Sequence, residues 1–103
     1  MSDYYRRDGS PMDMMDWAVS LGDNEYKRID KDTVGDADVS TVWLGLDHGW
    51  GGGAPVIFET MIFGGEHDQF QDRYTTEEEA VAGHARVVEA LRRGDSPDQE
   101  DTE

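Results

Sequence analysis

Residues 39–63, VSTVWLGLDHGWGGGAPVIFETMIF, decide the fold of this chain. They hold two apolar runs, 39–47 and 55–63, which are rich in the β-branched and aromatic residues that favour strands. The connection 48–54 contains three consecutive glycines, which adopt positive φ without steric cost. We therefore predict two neighbouring antiparallel strands joined by a long glycine-rich loop.

A helix is predicted before this hairpin. Ser10 can cap it, Pro11 suits its first position, and Gly22 can end it. Apolar residues recur there with helical spacing and predict a face that packs on the sheet: Met14, Trp17, Ala18 and Leu21.

Three further segments lie around these elements. Residues 1–9 predict a short strand or an extended arm, because two tyrosines precede an Asp-Gly turn signal. A weak alternation over 26–34 predicts a half-exposed strand, with a turn at 35–38. Residues 64–74 predict a polar connector that is anchored by Phe70.

The clearest helix signal begins at Thr75 and Thr76. Each has a glutamate three residues later, which is the capping-box arrangement, and Gly94 can end the helix. The tail 94–103 is acidic and lacks large apolar residues, so we expect it to be disordered. The predicted apolar stripe of the helix comprises Ala80, Val81, His84, Val87, Val88 and Leu91.

This order of elements predicts the α+β class. We expect a small antiparallel sheet of three to four strands, packed against an N-terminal and a C-terminal helix. A chain of 103 residues predicts one compact domain, over residues 1–93, followed by the tail. The sequence predicts no particular oligomeric state.

The charge limits the classes of partner. Twenty-four acidic residues face nine basic ones, for a net charge of −15, and phosphate backbones are bound by Lys and Arg. We therefore expect no direct nucleic-acid binding. Two explanations of the acidity stay open: a background of the source organism that favours solubility, or mimicry of nucleic acid toward a basic partner.

Composition also predicts the compartment. The chain has no cysteine, so it has neither disulfides nor thiolate metal ligands. It shows no signal-peptide pattern and no apolar run of the roughly 20 residues that a membrane helix needs. These features predict a soluble cytoplasmic protein without a membrane partner.

Two polar positions stand out in the hairpin. Asp47 and His48 lie where the first strand meets the loop. Asp47 can cap the turn, and His48 can shield an edge of the core. Alternatively, Asp47 and His48 form a dyad, although neighbouring residues of a strand point to opposite faces. Glu59 interrupts an apolar strand. It either faces solvent on a one-sided sheet, pairs while buried with Arg28, Arg73 or His84, or binds a ligand. A hairpin centred near residues 51–52 would place Glu59 opposite Leu44.

Two further candidates are His84 and Trp50. His84 lies in the helix stripe, where it is either a hydrogen-bonded core residue or a group that reaches Glu59 or a ligand. Trp50, in the loop, either stacks on a ligand or folds over the core. The histidines lack the spacing of a metal motif, and the chain has no P-loop and no recognisable nucleophile. We therefore predict no metal, no cofactor and no catalytic residue.

Four blocks of the sequence together resemble a small family of bacteriophage and prophage proteins, found especially in actinobacterial phages. The blocks are DGSPM at 8–12, VSTVWLGLDH at 39–48, PVIFETMIFGG at 55–65 and RYTTEEEAVAGHARVVE at 73–89. The resemblance covers most of residues 4–93 and excludes the acidic tail. It implies a phage origin, a single compact domain and a place in the cytoplasm of a bacterial host. It implies no activity and assigns no catalytic residues.

Three functions follow as hypotheses. The first is a non-enzymatic accessory protein that binds and modulates a host or phage protein, through Trp50, the glycine loop and an acidic rim. The second is a DNA mimic that inhibits a nucleic-acid-binding defence protein. The third is a nucleotide-binding or hydrolytic site at His48, Glu59 and His84, which requires the three side chains to converge.

Overall fold

The two apolar runs form adjacent strands of a four-stranded antiparallel sheet, in a computed structural model that describes residues 3–49 and 53–98. The sheet order is β3-β4-β5-β6, a simple meander, and β1 pairs with β2 separately. The predicted α+β class is confirmed. The elements in chain order are β1 (Tyr4–Tyr5), β2 (Pro11–Met12), α1 (Met14–Leu21), α2 (Asn24–Lys27), β3 (Arg28–Val34), β4 (Ala37–Trp43), β5 (Phe58–Phe63), β6 (Gln71–Tyr74) and α3 (Glu77–Arg92).

Helix α3 begins at the predicted capping box. The Thr76 hydroxyl accepts from the Glu79 N–H at 3.1 Å, and the Glu79 carboxylate accepts from the Thr76 N–H at 3.3 Å. The predicted stripe is largely buried, but Val81 is 47% exposed and Gly83 is buried instead. A Cβ on Gly83 would lie 2.3 Å from the Tyr74 hydroxyl, so only glycine lets that ring lie against the helix.

A bidentate ion pair fixes the start of α3 to the N-terminal segment. Arg7 donates through Nε and Nη2 to the two carboxylate oxygens of Glu77, at 2.8 and 2.6 Å. The hydrogen bonds from Arg7 hold the pKa of the Glu77 carboxyl below its ordinary value of 4.5. The folded state is therefore stabilised by the ionised form of Glu77.

This pair predicts a pH-dependent effect of Glu77→Gln. A carboxyl whose folded-state pKa is depressed stabilises the fold fully above its ordinary value of 4.5, and that stabilisation is lost as the pH falls through the lower folded-state pKa. We expect Glu77→Gln to lower Tm at pH 7 and to match the wild type at the acid end of the range. Thermal melts from pH 7 to 2.5 measure this. Glu78→Gln removes the same charge from the same turn, and the difference between its Tm and that of the wild type should not vanish at low pH. A Tm difference for Glu77→Gln that stays constant with pH would contradict the role of the Arg7–Glu77 ion pair.

The core between α3 and the sheet consists of two apolar clusters. Trp43, Phe58 and Ala80 belong to the first, together with Met12, Ile57 and Tyr74. Val39, Ile62, Val87, Val88 and Ala37 form the second, against which the predicted anchor Phe70 packs. Along β4, β5 and α3, the positions between these clusters are occupied by polar residues: Thr41, Thr60 and His84.

The hairpin register differs by two residues from the predicted one. Glu59 is opposite Val42, whereas the prediction placed it opposite Leu44. The N–H groups of Leu44 and Gly45 both approach the Ile57 carbonyl, at 2.7 and 3.4 Å, so the ladder is irregular beyond Trp43. Because a shift of two residues preserves the side of the sheet, Glu59 still shares a face with the even-numbered residues of β4.

The N-terminal helix starts later than predicted. Asp13, not Ser10, caps it by accepting from the Asp16 N–H, and Pro11 lies in β2 opposite Tyr5. The Ser10 hydroxyl donates instead to Asp8. The predicted inward face is also partly wrong, because Met14 and Ala18 are exposed and only Trp17 and Leu21 pack on the core.

Two other segments contain elements that the sequence did not indicate. The segment 26–34 opens with the end of α2, which Asp23 caps, before β3 begins at Arg28. The connector 64–74 ends in strand β6. The sequence of this edge strand shows no apolar alternation, because three of its four residues are polar: Gln71, Asp72 and Arg73.

Residues 94–98 follow directly on α3. Gly94 has φ of 79° just after the last turn, and the Asp95 N–H donates to the Ala90 carbonyl at 2.8 Å. Pro97 is buried. The rest of the predicted disordered tail, 99–103, lies outside the described residues.

Candidate functional site

Five polar side chains form a hydrogen-bonded row across the sheet, beneath α3. Thr41 Oγ1 lies 2.5 Å from Thr60 Oγ1 and 2.7 Å from Nδ1 of His84. The Tyr74 hydroxyl donates to Thr60 Oγ1 at 3.0 Å, and Asp32 Oδ2 lies 2.8 Å from Nε2 of His84. We call these five residues the polar layer. It links all four strands of the main sheet to α3 and separates the two apolar clusters.

The hydrogens of the polar layer can be ordered in one direction without a missing partner. Burial raises the pKa of the Tyr74 hydroxyl, so this group is protonated at neutral pH and donates. Thr60 then donates to Thr41, and Thr41 donates to Nδ1 of His84, whose Nε2–H donates to Asp32. No buried side-chain nitrogen or oxygen among the described residues lacks a hydrogen-bond partner.

The reverse direction is also available, because each threonine hydroxyl both donates and accepts. Nδ1–H of His84 then donates to Thr41, Thr41 donates to Thr60, and Thr60 donates to Tyr74. This order leaves the Nε2 lone pair of His84 facing the Asp32 carboxylate. Two acceptors in contact require a cation or a second proton between them.

The polar layer opens to solvent at its β3 end. The His84 side chain is 2% exposed, whereas the side chains of Asp30 and Asp32 are 48% and 40% exposed. Asp30 Oδ2 lies 3.8 Å from Nε2 of His84. One ligand atom from each of these three residues lies within 4.8 Å of the other two, and no other such group of three occurs in the described part of the chain.

The structure separates the residues of the predicted convergent site. His84 lies on the α3 side of the sheet, in contact with Thr41 and Thr60. Glu59 neighbours Thr60 along β5 and therefore points to the opposite side. His48 is exposed at the loop. A site built from His48, Glu59 and His84 together is not formed.

Glu59 is buried and paired. Its residue is 8% exposed, and its carboxylate accepts from Nε of Arg73 at 3.1 Å. Arg73 is its direct partner on β6, so the pair is a cross-strand ion pair. The predicted buried pair of Glu59 with Arg73 is confirmed. The alternative, a Glu59 exposed to solvent, is wrong, even though Glu59 lies on the face of the sheet opposite α3.

Asp47 caps the turn into the glycine loop, as predicted. Its Oδ1 accepts from the N–H groups of Val56 and Gly49, at 2.9 and 2.8 Å. These two bonds, that from Val56 first, lower the pKa of the Asp47 carboxyl. The neighbouring His48 makes its backbone bond to the Val56 carbonyl and has no hydrogen bond to Asp47. Trp50, the remaining predicted binding residue, lies outside the described residues.

Helix α1 presents a second candidate surface. Met14, Met15 and Val19 are 56%, 71% and 76% exposed. At about 100° per residue these three and Ala18 occupy a continuous arc of roughly 140°. The helix is held from its other side by Trp17, whose Nε1 donates to the Leu44 carbonyl at 2.9 Å. We call Met14, Met15, Ala18 and Val19 the α1 apolar face.

Sequence reasoning found His84 and missed its partners. Asp30 and Asp32 were counted only as part of a half-exposed strand, although their spacing of two places them on one side of it. Thr41 and Thr60 favour strands by propensity, so their presence in apolar runs raised no signal. Tyr74 lay in a segment that was predicted to be a connector.

Comparison with family models, with curated proteins and with solved structures finds no match to this chain. Within the described residues, no helix combines the length and the apolar character that crossing a membrane requires.

Proposed function

We propose that this chain is a non-enzymatic binding module that engages a protein partner through the α1 apolar face. The exposure of Met14, Met15 and Val19 on one short helix is the observation that supports the proposal. A helix that is apolar toward the core and also toward solvent is typical of an interface, because exposing the outer face to water is unfavourable. Methionine is enriched at interfaces and adapts its shape to a partner.

The surroundings of this face indicate the chemistry of the partner. Asp13 and Asp16 lie on the same helix end, and Glu25 is exposed on the next helix. With a net charge of −15, association with a second copy of the chain is opposed by repulsion. The face therefore suits a different protein that offers an apolar groove with a rim of Lys and Arg.

The sequence resemblance gives this role a setting. A small acidic phage accessory protein would act in the cytoplasm of the bacterial host, on a host or phage protein. Trp17 bonds to the Leu44 carbonyl, so the helix that carries the proposed face is anchored to the segment that leads into the predicted binding loop, which begins at residue 48. We therefore propose the α1 apolar face, in place of the glycine loop, as the main binding surface.

The test is a pull-down with the tagged full chain from host lysate, at low and high salt, with Met15→Ser/Val19→Ser as the variant. We expect a partner that is captured by the wild type and lost at least tenfold in the variant, since the apolar core of an interface supplies most of its energy. Val81→Ser is the matched control, because Val81 is 47% exposed but lies on α3. Equal capture by Met15→Ser/Val19→Ser would refute the proposal.

A second measurement addresses self-association. Sedimentation velocity of the wild type should show a species whose mass does not change with concentration. A dimer that disappears in Met15→Ser/Val19→Ser would mean that the face joins copies of this chain, and the proposed partner would be wrong.

The DNA-mimic alternative stays a prediction. In the described residues, carboxylates lie on both sides of the sheet, with Asp32 on the α3 side and Asp38 on the other, and on α3 itself at Glu77, Glu78 and Glu79. Among the described residues, the carboxylates are therefore not concentrated on one face, and their arrangement does not favour mimicry of DNA.

A further inference from the structure

We propose that His84, Asp30 and Asp32 form a binding site for one divalent transition-metal ion. The ion would bind Nε2 of His84 and one carboxylate oxygen of each aspartate, and its remaining positions would be open to solvent at the β3 edge. We call these three residues the metal triad.

The distances suit a transition metal. Nε2 of His84 lies 2.8 Å from Asp32 Oδ2 and 3.8 Å from Asp30 Oδ2. Ligand atoms at about 2.0–2.2 Å from a metal are roughly 2.8–3.6 Å apart at octahedral or tetrahedral angles. The two aspartates are half-exposed, so small rotations of their side chains bring all three atoms into that range.

The charge of the triad favours a cation, because two carboxylates lie beside one imidazole nitrogen. Asp30 and Asp32 lie on the same side of β3 and converge on one imidazole nitrogen. Among the described residues, no Lys or Arg side-chain nitrogen lies within 4.0 Å of either carboxylate, whereas Glu59, Asp72 and Glu77 each have an arginine partner. Asp30 Oδ1 accepts from the main-chain N–H of Lys31 at 2.9 Å, and its other oxygen, Oδ2, is the one near His84. An N–H of His84 serves only one of the two carboxylates well, at 2.8 Å.

The rest of the polar layer orients the imidazole as the second shell of a metal site does. A histidine that binds metal through one nitrogen donates its other N–H to a fixed acceptor. Thr41 Oγ1 lies 2.7 Å from Nδ1 and is itself held by Thr60. Binding of the ion at Nε2 selects the reverse hydrogen-bond direction, in which Thr60 donates to Tyr74. The Tyr74 hydroxyl proton then turns toward the groove that it lines with Asp72.

The ligand types select the metal. One imidazole and two carboxylates suit Zn²⁺, Mn²⁺ or Fe²⁺, whereas Ca²⁺ takes six to eight oxygens and Mg²⁺ prefers oxygen ligands and water. We use Zn²⁺ as the probe, with Ca²⁺ and Mg²⁺ as ions that should not compete for the site.

The test is calorimetric titration of Zn²⁺ into the untagged full chain that carries His48→Gln and His67→Gln. These changes remove the two other histidines, which are not part of the triad. We expect one Zn²⁺ per chain, with Kd raised at least about 10-fold by Asp30→Asn or by Asp32→Asn, because loss of even a residue that only orients a ligand costs about 10- to 100-fold. Asp36→Asn is the matched control, because it removes an exposed carboxylate from the β3–β4 turn; it should leave Kd unchanged.

A spectroscopic readout separates the site from weak surface binding. In ¹⁵N-labelled protein, Zn²⁺ should shift Nε2 of His84 while Nδ1 keeps its proton. Asp30→Asn keeps the test valid if Asp32→Asn disturbs folding, because Asp30 is not a member of the polar layer. No binding in the His48→Gln/His67→Gln chain would overturn the site, as would a Kd that is insensitive to both aspartate changes.

Discussion

Gly45→Ala is expected to destabilise the fold by about 2–5 kcal/mol, from a positive-φ penalty of roughly 1–2 kcal/mol plus overpacking of about 1–3 kcal/mol. Gly45 is buried, with φ of 77°. A Cβ there would lie 2.5 Å from the Trp43 ring and 2.6 Å from the Trp17 ring. Both rings are fixed by hydrogen bonds from their indole nitrogens to main-chain carbonyls, so neither can give way cheaply.

The measurement is urea unfolding followed by tryptophan fluorescence. Gly35→Ala is the matched control, because Gly35 has φ of 59° and nothing within 4 Å of its Cβ position. It carries only the conformational penalty, roughly 1–2 kcal/mol. Equal losses in the free energy of unfolding for the two variants would show that the rings of Trp17 and Trp43 do not pack against Gly45. A loss for Gly45→Ala also tests the position of α1, since Trp17 anchors that helix.

Thr60→Val is the second change with a large expected effect. The replacement keeps the shape of the side chain but removes the acceptor of the Tyr74 hydroxyl and a partner of Thr41. A buried polar group without a partner costs about 1–3 kcal/mol. The Tyr74 hydroxyl loses its acceptor, whereas Thr41 keeps its bond to His84, so we expect a loss of about 1–3 kcal/mol. Ser40→Ala, on the opposite face of β4, should change stability little.

Replacing the four members of the polar layer other than the half-exposed Asp32 should reverse this loss. When every partner becomes apolar, no buried group is left unsatisfied. We therefore expect Thr41→Val/Thr60→Val/Tyr74→Phe/His84→Leu to be more stable than Thr60→Val alone in the same urea titration. A quadruple variant that is less stable than Thr60→Val would mean that the layer stabilises the fold beyond the pairing of its own groups. The quadruple variant should also lose the Zn²⁺ site, because it lacks His84.

Local patterns predicted the parts of the fold that depend on neighbouring residues. The capping box at Thr76 and Glu79 forms, and Asp47 caps its turn, because each involves side chains close in the chain. The hairpin also forms, because β-branched and aromatic residues, which favour strands, predominate in both of its apolar runs. The predicted start of α1 is wrong because local rules allow two caps, since Ser10 and Asp13 are both residue types that cap helices. The pairing of Pro11–Met12 with β1 excludes these residues from the helix and leaves Asp13 as the cap.

The candidate site could not be predicted in this way. Glu59 and His84 are candidates for one site by sequence, yet they lie on opposite sides of the sheet, because the strand sequences do not determine which face α3 covers. Met14 and Ala18, on the open face of α1, are predicted to be core, since periodicity identifies an apolar side but cannot show whether anything covers it.

The sequence by itself determined the strands of the hairpin, the C-terminal helix and the α+β class, through propensity, capping and periodicity, which act over a few residues. Only the tertiary structure decided where the polar chemistry lies. Asp32 and His84 are 52 positions apart, and Thr41 and His84 are 43 apart. They meet because the antiparallel register aligns four strands and α3 packs across them, and contacts of that range are set by packing of the whole chain and not by any local pattern.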